Sequence, residues 1–428
     1  MKAFHLFLVF VVLSSCQNME DAKPTDRNTF TYFYGGATSR TGQAAIASED
    51  GGYIIVGNTT VSDESKIIVI KTDKLGRTQW EKIIDGASAS ALKLLADGYV
   101  IAGDSIEVNP LSGQISELVN TKARIIRMDF NGTIIKDFSY GKQVITATDT
   151  FAIDFSSDAL TTNAANELVL LGTFKSPNGF ENTFVSVHDP ASLQVNWSNQ
   201  FGLLDKDYIN GRSIQVLSNG NIIWATSALK EQQNFNRSYL VIPSVKANSS
   251  FTNSDQYGQL SDQELFGKDI QAAKSGILSL GVVGTFASPT GTDADLFFAR
   301  VTQQGNIEKE SIKLFDGNSL AENAASEDGK SEDTGDALAA TSDGGFILAG
   351  TITTTTLRGN GDKDILLIKV DAFGNVLWNK LLGGSFAETI STIVETEDKG
   401  FLICGTHGFS GLSQIMLIRT DSKGELID

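Results

Sequence analysis

The chain has 428 residues, with 34 lysines and arginines against 51 aspartates and glutamates, so its formal net charge is −17. This balance argues against a nucleic-acid partner, which needs clustered basic side chains, and 3 histidines with 2 cysteines leave no zinc cluster or disulfide framework. A hydrophobic content of 41% supports a packed core, and 41 glycines against 6 prolines indicate many tight turns.

The first element along the chain is a short apolar run followed by a cysteine. Residues Leu6–Leu13 are too few to span a bilayer and are typical of a secretory signal. The sequence Leu13-Ser14-Ser15-Cys16 resembles the lipobox of bacterial lipoproteins. The resemblance implies cleavage after residue 15 and lipid on Cys16, which would anchor the protein in the outer membrane. An ordinary secretory signal with an incidental cysteine is the alternative.

Residues 16–28 are predicted to form a flexible, lipid-anchored tether. The acidic pair Glu20-Asp21 is similar to the surface-export signal of lipoproteins in the Bacteroidota, which implies that the protein faces the cell exterior. A solvated tether that carries no such signal is the alternative. The predicted organisation is therefore a signal peptide at 1–15, the tether at 16–28 and one folded domain at 29–428.

Two apolar patterns alternate seven times through that domain. The first opens at a glycine turn, as in Asp50–Gly57 (DGGYIIVG) and Asp343–Gly350 (DGGFILAG). The second is an apolar run that often ends in a basic residue, as in Ile67–Lys71 and Ile365–Lys369. Asp-Gly between apolar runs is a strong hairpin signal, because both residues tolerate positive φ. Each repeat therefore contains at least two antiparallel strands.

These strands predict an all-β, seven-bladed β-propeller with four-stranded antiparallel blades. Several second runs are continuously apolar, which indicates strands covered on both faces. The last repeat lacks the closing strand seen in Trp80–Gly86 and Trp378–Gly384, and Phe30–Gly36 has the matching aromatic-to-glycine pattern. We therefore expect the N-terminal strand to complete the last blade, which removes exposed sheet edges.

The repeat resembles the tandem propeller repeats that are common in surface and secreted proteins of the Bacteroidota. Asp73-x-x-Gly76-x-x-x-Trp80 is also remotely similar to the tryptophan repeats of quinoprotein dehydrogenases, with one residue fewer between Asp and Gly. Both resemblances imply the propeller fold and transfer no active site.

Several single residues are candidates for packing or binding roles. Position-matched recurrence predicts that the closing-strand tryptophans pack between blades, and Cys404 is expected to be a small buried residue. Trp224 replaces a small residue of the repeat and is a candidate for an exposed binding face, and His407 is a second candidate near the channel mouth. His188 precedes Asp189 at a turn, where hairpin chemistry is favoured over catalysis.

An acidic insertion at residues 322–336 is a candidate for a metal site. It contains the carboxylates of Asp328, Glu332, Asp333 and Asp336, which are possible binding-face residues and possible Ca²⁺ ligands. The insertion lacks the alternating spacing of a calcium loop, so a solvated loop is the favoured interpretation. No other cofactor is expected.

The leading functional hypothesis is a protein-interaction or accessory scaffold subunit of an outer-membrane protein complex, anchored through Cys16. No convergent catalytic set is recognisable, so the chain is not expected to be an enzyme. A glycan-binding surface lipoprotein is the alternative, and a propeller enzyme, such as a polysaccharide lyase or a quinoprotein-like oxidoreductase, is a third possibility.

Overall fold

The computed structural model describes residues 29–110, 117–145, 150–175, 181–201, 207–232, 235–246, 253–257, 264–274, 279–287, 294–316, 333–353 and 363–426. All regular secondary structure in these segments is β-strand. None of them contains a helix with the length and apolar character needed to span a membrane.

Seven four-stranded antiparallel sheets form the blades of a propeller, and one extra two-stranded hairpin lies between the second and third blades. Blades 1 to 4 and the hairpin are built from β2 (Arg40–Ala47), β3 (Tyr53–Val61), β4 (Glu64–Thr72), β5 (Thr78–Asp85); β6 (Ser88–Leu95), β7 (Gly98–Pro110), β8 (Glu117–Met128), β9 (Ile134–Tyr140); the hairpin β10 (Lys142–Ile145), β11 (Thr150–Ile153); β12 (Phe155–Thr162), β13 (Leu168–Lys175), β14 (Glu181–His188), β15 (Val195–Phe201); β16 (Asp207–Val216), β17 (Asn221–Gln232), β18 (Phe235–Lys246), β19 (Asn253–Tyr257). Blades 5 to 7 are built from β20 (Glu264–Ala272), β21 (Ser279–Ala287), β22 (Ala294–Thr302), β23 (Ile307–Phe315); β24 (Thr334–Ala340), β25 (Phe346–Thr353), β26 (Lys363–Val370), β27 (Val376–Leu382); β28 (Glu388–Glu395), β29 (Phe401–Phe409), β30 (Leu412–Thr420), and β1 (Phe30–Tyr34).

The N-terminal strand closes the ring, as the sequence predicts. β1 pairs antiparallel with β30, from Phe30 opposite Arg419 to Tyr34 opposite Ile415, so the last blade has the order β1-β30-β29-β28. The two apolar sequence patterns are the second and third strands of every blade. The predicted all-β, seven-bladed architecture is therefore confirmed.

The strand order gives the propeller two different faces. On the lower face, short turns such as Ser48–Gly52 and Asp73–Arg77 join first to second and third to fourth strands. On the upper face lie the connections between second and third strands and the passages to the next blade. Hairpins β7–β8 and β17–β18, with strands of 12 or 13 residues, and the extra hairpin β10–β11 raise the upper face over blades 2 to 4.

A recurring ion pair on the lower face explains why the first pattern opens with Asp and the second ends in a basic residue. The Asp50 carboxylate lies 2.7 Å from Lys71 Nζ, and the Lys71 side chain is only 5% exposed. Each pair ties the first turn of a blade to the end of its third strand. The equivalent pairs are Asp97 with Arg127, Asp343 with Lys369, and Asp398 with Arg419.

The core consists of seven apolar clusters, one between each pair of neighbouring blades. Alternate side chains of one strand enter different clusters: Ile54 faces blade 2 and Ile55 faces blade 7. Trp80, Trp197 and Trp378 pack at the margins of these clusters, which confirms their predicted role. Cys404 is buried in the same way, and burial raises the pKa of its thiol to about 12.

Candidate functional site

The upper end of blade 7 carries a group of exposed aromatic side chains. Phe386 lies just before β28, Phe409 ends β29, and Phe33 lies in β1, with exposed fractions of 39%, 48% and 44%. The His407 ring lies among them, with its centroid 4.3 Å from that of Phe33 and 5.7 Å from that of Phe386. We call Phe33, Phe386, His407 and Phe409 the blade-7 aromatic cluster.

A tight turn keeps this end of blade 7 low and open. Ser410 and Gly411 both have positive φ, 48° and 84°, which suits a two-residue hairpin between right-twisted strands. The turn places Phe409 opposite Leu412, which is also exposed. The aromatic side chains therefore stand at the surface and are not covered by a long hairpin of their own blade.

A buried carboxylate fixes the orientation of the imidazole in the cluster. His407 is 7% exposed, and its Nδ1 lies 2.6 Å from Glu388 Oε1, across the β28–β29 pair. The backbone N–H of Gly384 donates to the other oxygen of Glu388 at 3.0 Å. Nε2 makes no hydrogen bond to any described residue. A carboxylate at one ring nitrogen leaves the other to act as the exchangeable acceptor or donor.

A cavity of about 400 Å³ adjoins the pair, between β27 of blade 6 and β1 of blade 7. Its lining is mainly apolar, with Phe33, Leu382 and Leu426, and its polar groups include Glu388 and His407. An apolar cavity with a few placed polar groups is the usual form of a small-ligand site. The candidate residue His407 thus lines a cavity of this kind.

Trp224 does not contribute to any binding face, so its interpretation is corrected. The side chain has 0% exposure and packs in the cluster between blades 3 and 4, with its ring 5.3 Å from that of Phe201. A second strand is covered on both faces by neighbouring blades, and any large side chain there becomes core. His188 is also buried; Ser186 and the Leu193 carbonyl hydrogen-bond its ring, as expected of a structural residue.

Of the acidic candidates, the structure describes Asp333 and Asp336, and these two residues have different partners. Asp328 and Glu332 lie outside the described residues. Asp336 accepts hydrogen bonds from the hydroxyls of Thr334 and Thr351 at 2.7 and 3.1 Å.

Asp333 is brought together with two other carboxylates. It is fully buried at the border of blades 5 and 6, and carboxylate oxygens of Asp295, Asp316 and Asp333 lie within 4.8 Å of one another. Oxygen ligands this close could hold a divalent cation. Sequence patterns do not single out Asp316. This residue follows Phe315, which pairs with Leu296, and the register therefore places Asp316 opposite Asp295. In blade 1, the positions equivalent to Asp295 and Asp316 hold the ion pair Lys66–Asp85.

The central channel is a second site that sequence reasoning missed. The first strands of all seven blades line a cavity of about 210 Å³, which includes the charged residues Lys93, Lys268, Asp269 and Asp336. Burial lowers the pKa of Lys93. Burial also raises the pKa of Asp269, although hydrogen bonds from Ser213 and Leu338 oppose that shift. The first strands carry no recurring motif, so nothing in the sequence singled these residues out.

No protein-family model matches the sequence, and no curated protein matches it. Among solved structures, polysaccharide lyase Uly1 is similar at a TM-score of 0.55 and 10% identity, with 91% of each chain covered. The extracellular domains of Drosophila semaphorin 1a match at a TM-score of 0.42, 10% identity and 90% and 87% coverage. A Hadza microbial sialidase, Hz136, matches at 0.44, 10% identity and 86% and 73% coverage. These likenesses concern the fold.

The expectation that the chain is not an enzyme is corrected. The lyase Uly1 is an enzyme built on a similar propeller over nearly the whole length of both chains. The lack of a recognisable catalytic motif in the sequence is therefore no ground for calling a propeller non-enzymatic. The Glu388–His407 pair further shows that the described residues include an oriented imidazole beside a cavity.

Proposed function

We propose that the chain is a lipid-anchored outer-membrane propeller that binds carbohydrate at the blade-7 aromatic cluster. The observation that carries this proposal is the set of three exposed phenylalanines around the oriented imidazole of His407. Aromatic faces pack against the apolar C–H faces of sugars, and a few polar groups then select among hydroxyl patterns. Exposed apolar patches on a folded domain commonly mark binding surfaces of this kind.

The position of β1 suggests how the propeller would face the membrane. Phe30, at the start of β1, lies opposite Arg419 near the lower face, while the aromatic cluster lies at the upper end of the same blade. If Cys16 carries the lipid, the twelve residues 17–28 would reach about 20 Å as random coil. The lower face would then lie near the membrane, and the cluster would point to the cell exterior.

Polysaccharide is the first ligand class to test. Uly1, whose fold is similar, is a polysaccharide lyase, and the tight turn at Ser410 and Gly411 leaves the described upper end of blade 7 without a long hairpin. Among the described residues, the long hairpins lie at blades 2 to 4.

The test is affinity electrophoresis of a Cys16→Ser protein in gels that contain neutral and acidic polysaccharides. We expect at least one polysaccharide to retard the protein, and Phe386→Ala and Phe409→Ala to weaken that binding about three- to tenfold, the range of an aromatic contact. Phe373→Ala is the matched control, because Phe373 is 54% exposed on the lower face of blade 6. Absence of retardation across the panel, or an equal loss in the control, would contradict the proposal.

A second candidate function is an accessory subunit of an outer-membrane assembly. Outermost strands of blades 1, 2 and 5 expose the aliphatic residues Ile83, Ile135 and Leu314, each close to half exposed. Apolar side chains on edge strands suit a protein partner. Cross-linking in native membranes should then recover one defined outer-membrane protein, and Ile135→Ser with Leu314→Ser should reduce its yield while carbohydrate binding stays unchanged.

A further inference from the structure

The central channel has one ring of side chains whose chemistry differs sharply from side to side. Each first strand has a β-bulge at the same place, for example between Gly42 and Ala44 and between Ala89 and Ala91. Two positions beyond the bulge, equivalent residues of five blades line the same cavity. These channel-ring residues are Ile46, Lys93, Gln215, Gln271 and Val394.

Lys93 is the one charged residue of the channel ring. Its ammonium group has no hydrogen bond or ion pair with another described residue. Burial alone is the cause that lowers its pKa, with no compensating carboxylate. Lys93 is partly buried in the channel wall, where an ammonium group without a counter-charge favours the binding of an anion.

The carboxylates of the channel are engaged elsewhere. Gln215 donates to Gln271 at 3.2 Å, and Gln271 donates to Asp269 Oδ1 at 3.0 Å. The other oxygen of Asp269 accepts the Leu338 N–H at 2.8 Å, which ties blade 5 to blade 6. Asp336 is bound by two threonine hydroxyls. Neither carboxylate makes an ion pair with Lys93 among the described contacts.

We propose that the central channel binds a short-chain monocarboxylate, with its carboxylate on Lys93 and its alkyl end against Ile46 and Val394. The bound anion supplies the counter-charge that the described residues do not. A single negative charge fits best, because Asp269 and Asp336 share the cavity and repel a multivalent anion. Two apolar side chains of the channel ring, Ile46 and Val394, line the cavity together with Lys93, and they can cover only a short alkyl chain.

The site is tested by calorimetric titration of the full chain carrying Cys16→Ser with sodium propionate at constant ionic strength. The expected result is saturable binding to one site, which Lys93→Met weakens at least tenfold. Lys74→Met is the matched control, because it removes an exposed lysine from a lower-face turn, and it should bind propionate as the unmodified chain does. Binding should also weaken as the pH rises and the ammonium of Lys93 loses its proton.

Three results would overturn the proposal: no saturable binding, unchanged binding in Lys93→Met, or equal binding of chloride and propionate. Circular dichroism and the melting temperature of Lys93→Met show whether the variant is folded. Because the substitution removes a partly buried charge that has no partner among the described residues, its melting temperature without propionate should be no lower than that of the unmodified chain. Lys93→Gln is a second variant with a neutral polar side chain, and it should lose propionate binding in the same way.

Discussion

The hydroxyl of Tyr34 donates a 2.6 Å hydrogen bond to the carbonyl oxygen of Gly76, and this bond joins the last blade of the ring to the first. Tyr34 lies in the N-terminal strand of blade 7, and Gly76 lies in the last turn of blade 1. The rings of Phe30 and Tyr32 pack against the same glycine. Closure therefore has two parts: the pairing of β1 with β30, and the packing of β1 side chains onto the next blade.

Tyr34→Phe should lower the free energy of unfolding by about 1–2 kcal/mol, because a buried carbonyl loses its donor while the apolar packing is kept. Tyr32→Phe is the matched control: it removes a hydroxyl from the same strand that makes no hydrogen bond to a described residue. Urea denaturation of both variants measures the difference. Equal stability of the two variants would show that the Tyr34 bond adds nothing to ring closure.

Substitutions of glycines in the lower-face turns measure how closely neighbouring blades pack against each other. Gly132 has φ of 77°, and a Cβ added there would lie 2.7 Å from the Trp80 ring of blade 1. Gly51 has φ of 80°, but a Cβ there meets no atom within 4 Å. Gly51→Ala should cost about 1 kcal/mol from backbone strain alone, and Gly132→Ala about 2–4 kcal/mol because overpacking is added.

The comparison of these two variants isolates the inter-blade contact, since both share the same backbone strain. Thermal or urea unfolding is sufficient to measure it. A loss in Gly132→Ala no larger than that in Gly51→Ala would mean that Trp80 moves away freely, and that the tryptophan does not hold the blades together.

The fold could be predicted from the sequence because every repeat contains the same turn and strand patterns. The Asp-Gly turns, the apolar third strands and the displaced closing strand of Phe30–Tyr34 all follow from turn chemistry and burial on both faces. The candidate site could not be predicted in this way. Glu388 and His407 come from different strands, and only the β28–β29 register places them 2.6 Å apart.

Trp224 shows the opposite error. The departure from the repeat at Trp224 predicts exposure, whereas the space between blades 3 and 4 accepts a large side chain at that position. Lys93 and Asp269 lie on first strands, whose channel-lining positions differ from blade to blade: the channel-ring position alone is Ile46, Lys93, Gln215, Gln271 or Val394. Sequence periodicity predicts the core positions that all blades share. It gives no information about the residues that differ between blades.

Buried His188 should make the protein less stable in mild acid. Burial lowers the pKa of the imidazole and outweighs the opposing hydrogen bond to the Leu193 carbonyl. The imidazole of His188 therefore takes up a proton near pH 6.5 in the unfolded chain, whereas it stays neutral at that pH in the folded chain. Stability falls as the pH drops below about 6.5, by at most about 1.4 kcal/mol per pH unit. His188→Gln should remove this part of the slope when urea unfolding is compared between pH 8 and pH 5. An unchanged slope would show that His188 is protonated in the folded state.

The lower-face ion pairs should matter more than other surface pairs, because their basic partner is buried. Lys369 is 6% exposed, and its Nζ lies 3.0 Å from the Asp343 carboxylate. Asp343→Asn should lower the free energy of unfolding at pH 7 by about 1–3 kcal/mol, since the buried ammonium loses its charged partner. Glu425→Gln, which breaks the exposed Lys380–Glu425 pair, is the matched control and should cost less than about 1 kcal/mol.

The pH dependence of stability provides a second test of the Asp343–Lys369 ion pair. Burial alone would raise the pKa of Asp343, but hydrogen bonds from Thr341, the Gly345 N–H and Lys369 outweigh it and hold the pKa below its usual range. The stabilisation is therefore complete above about pH 4 and disappears as the pH falls through the lowered pKa. The difference between the unmodified chain and Asp343→Asn should shrink accordingly in urea unfolding at acid pH. A difference that persists unchanged at pH 2 would mean that the substitution acts through the turn and not through the charge.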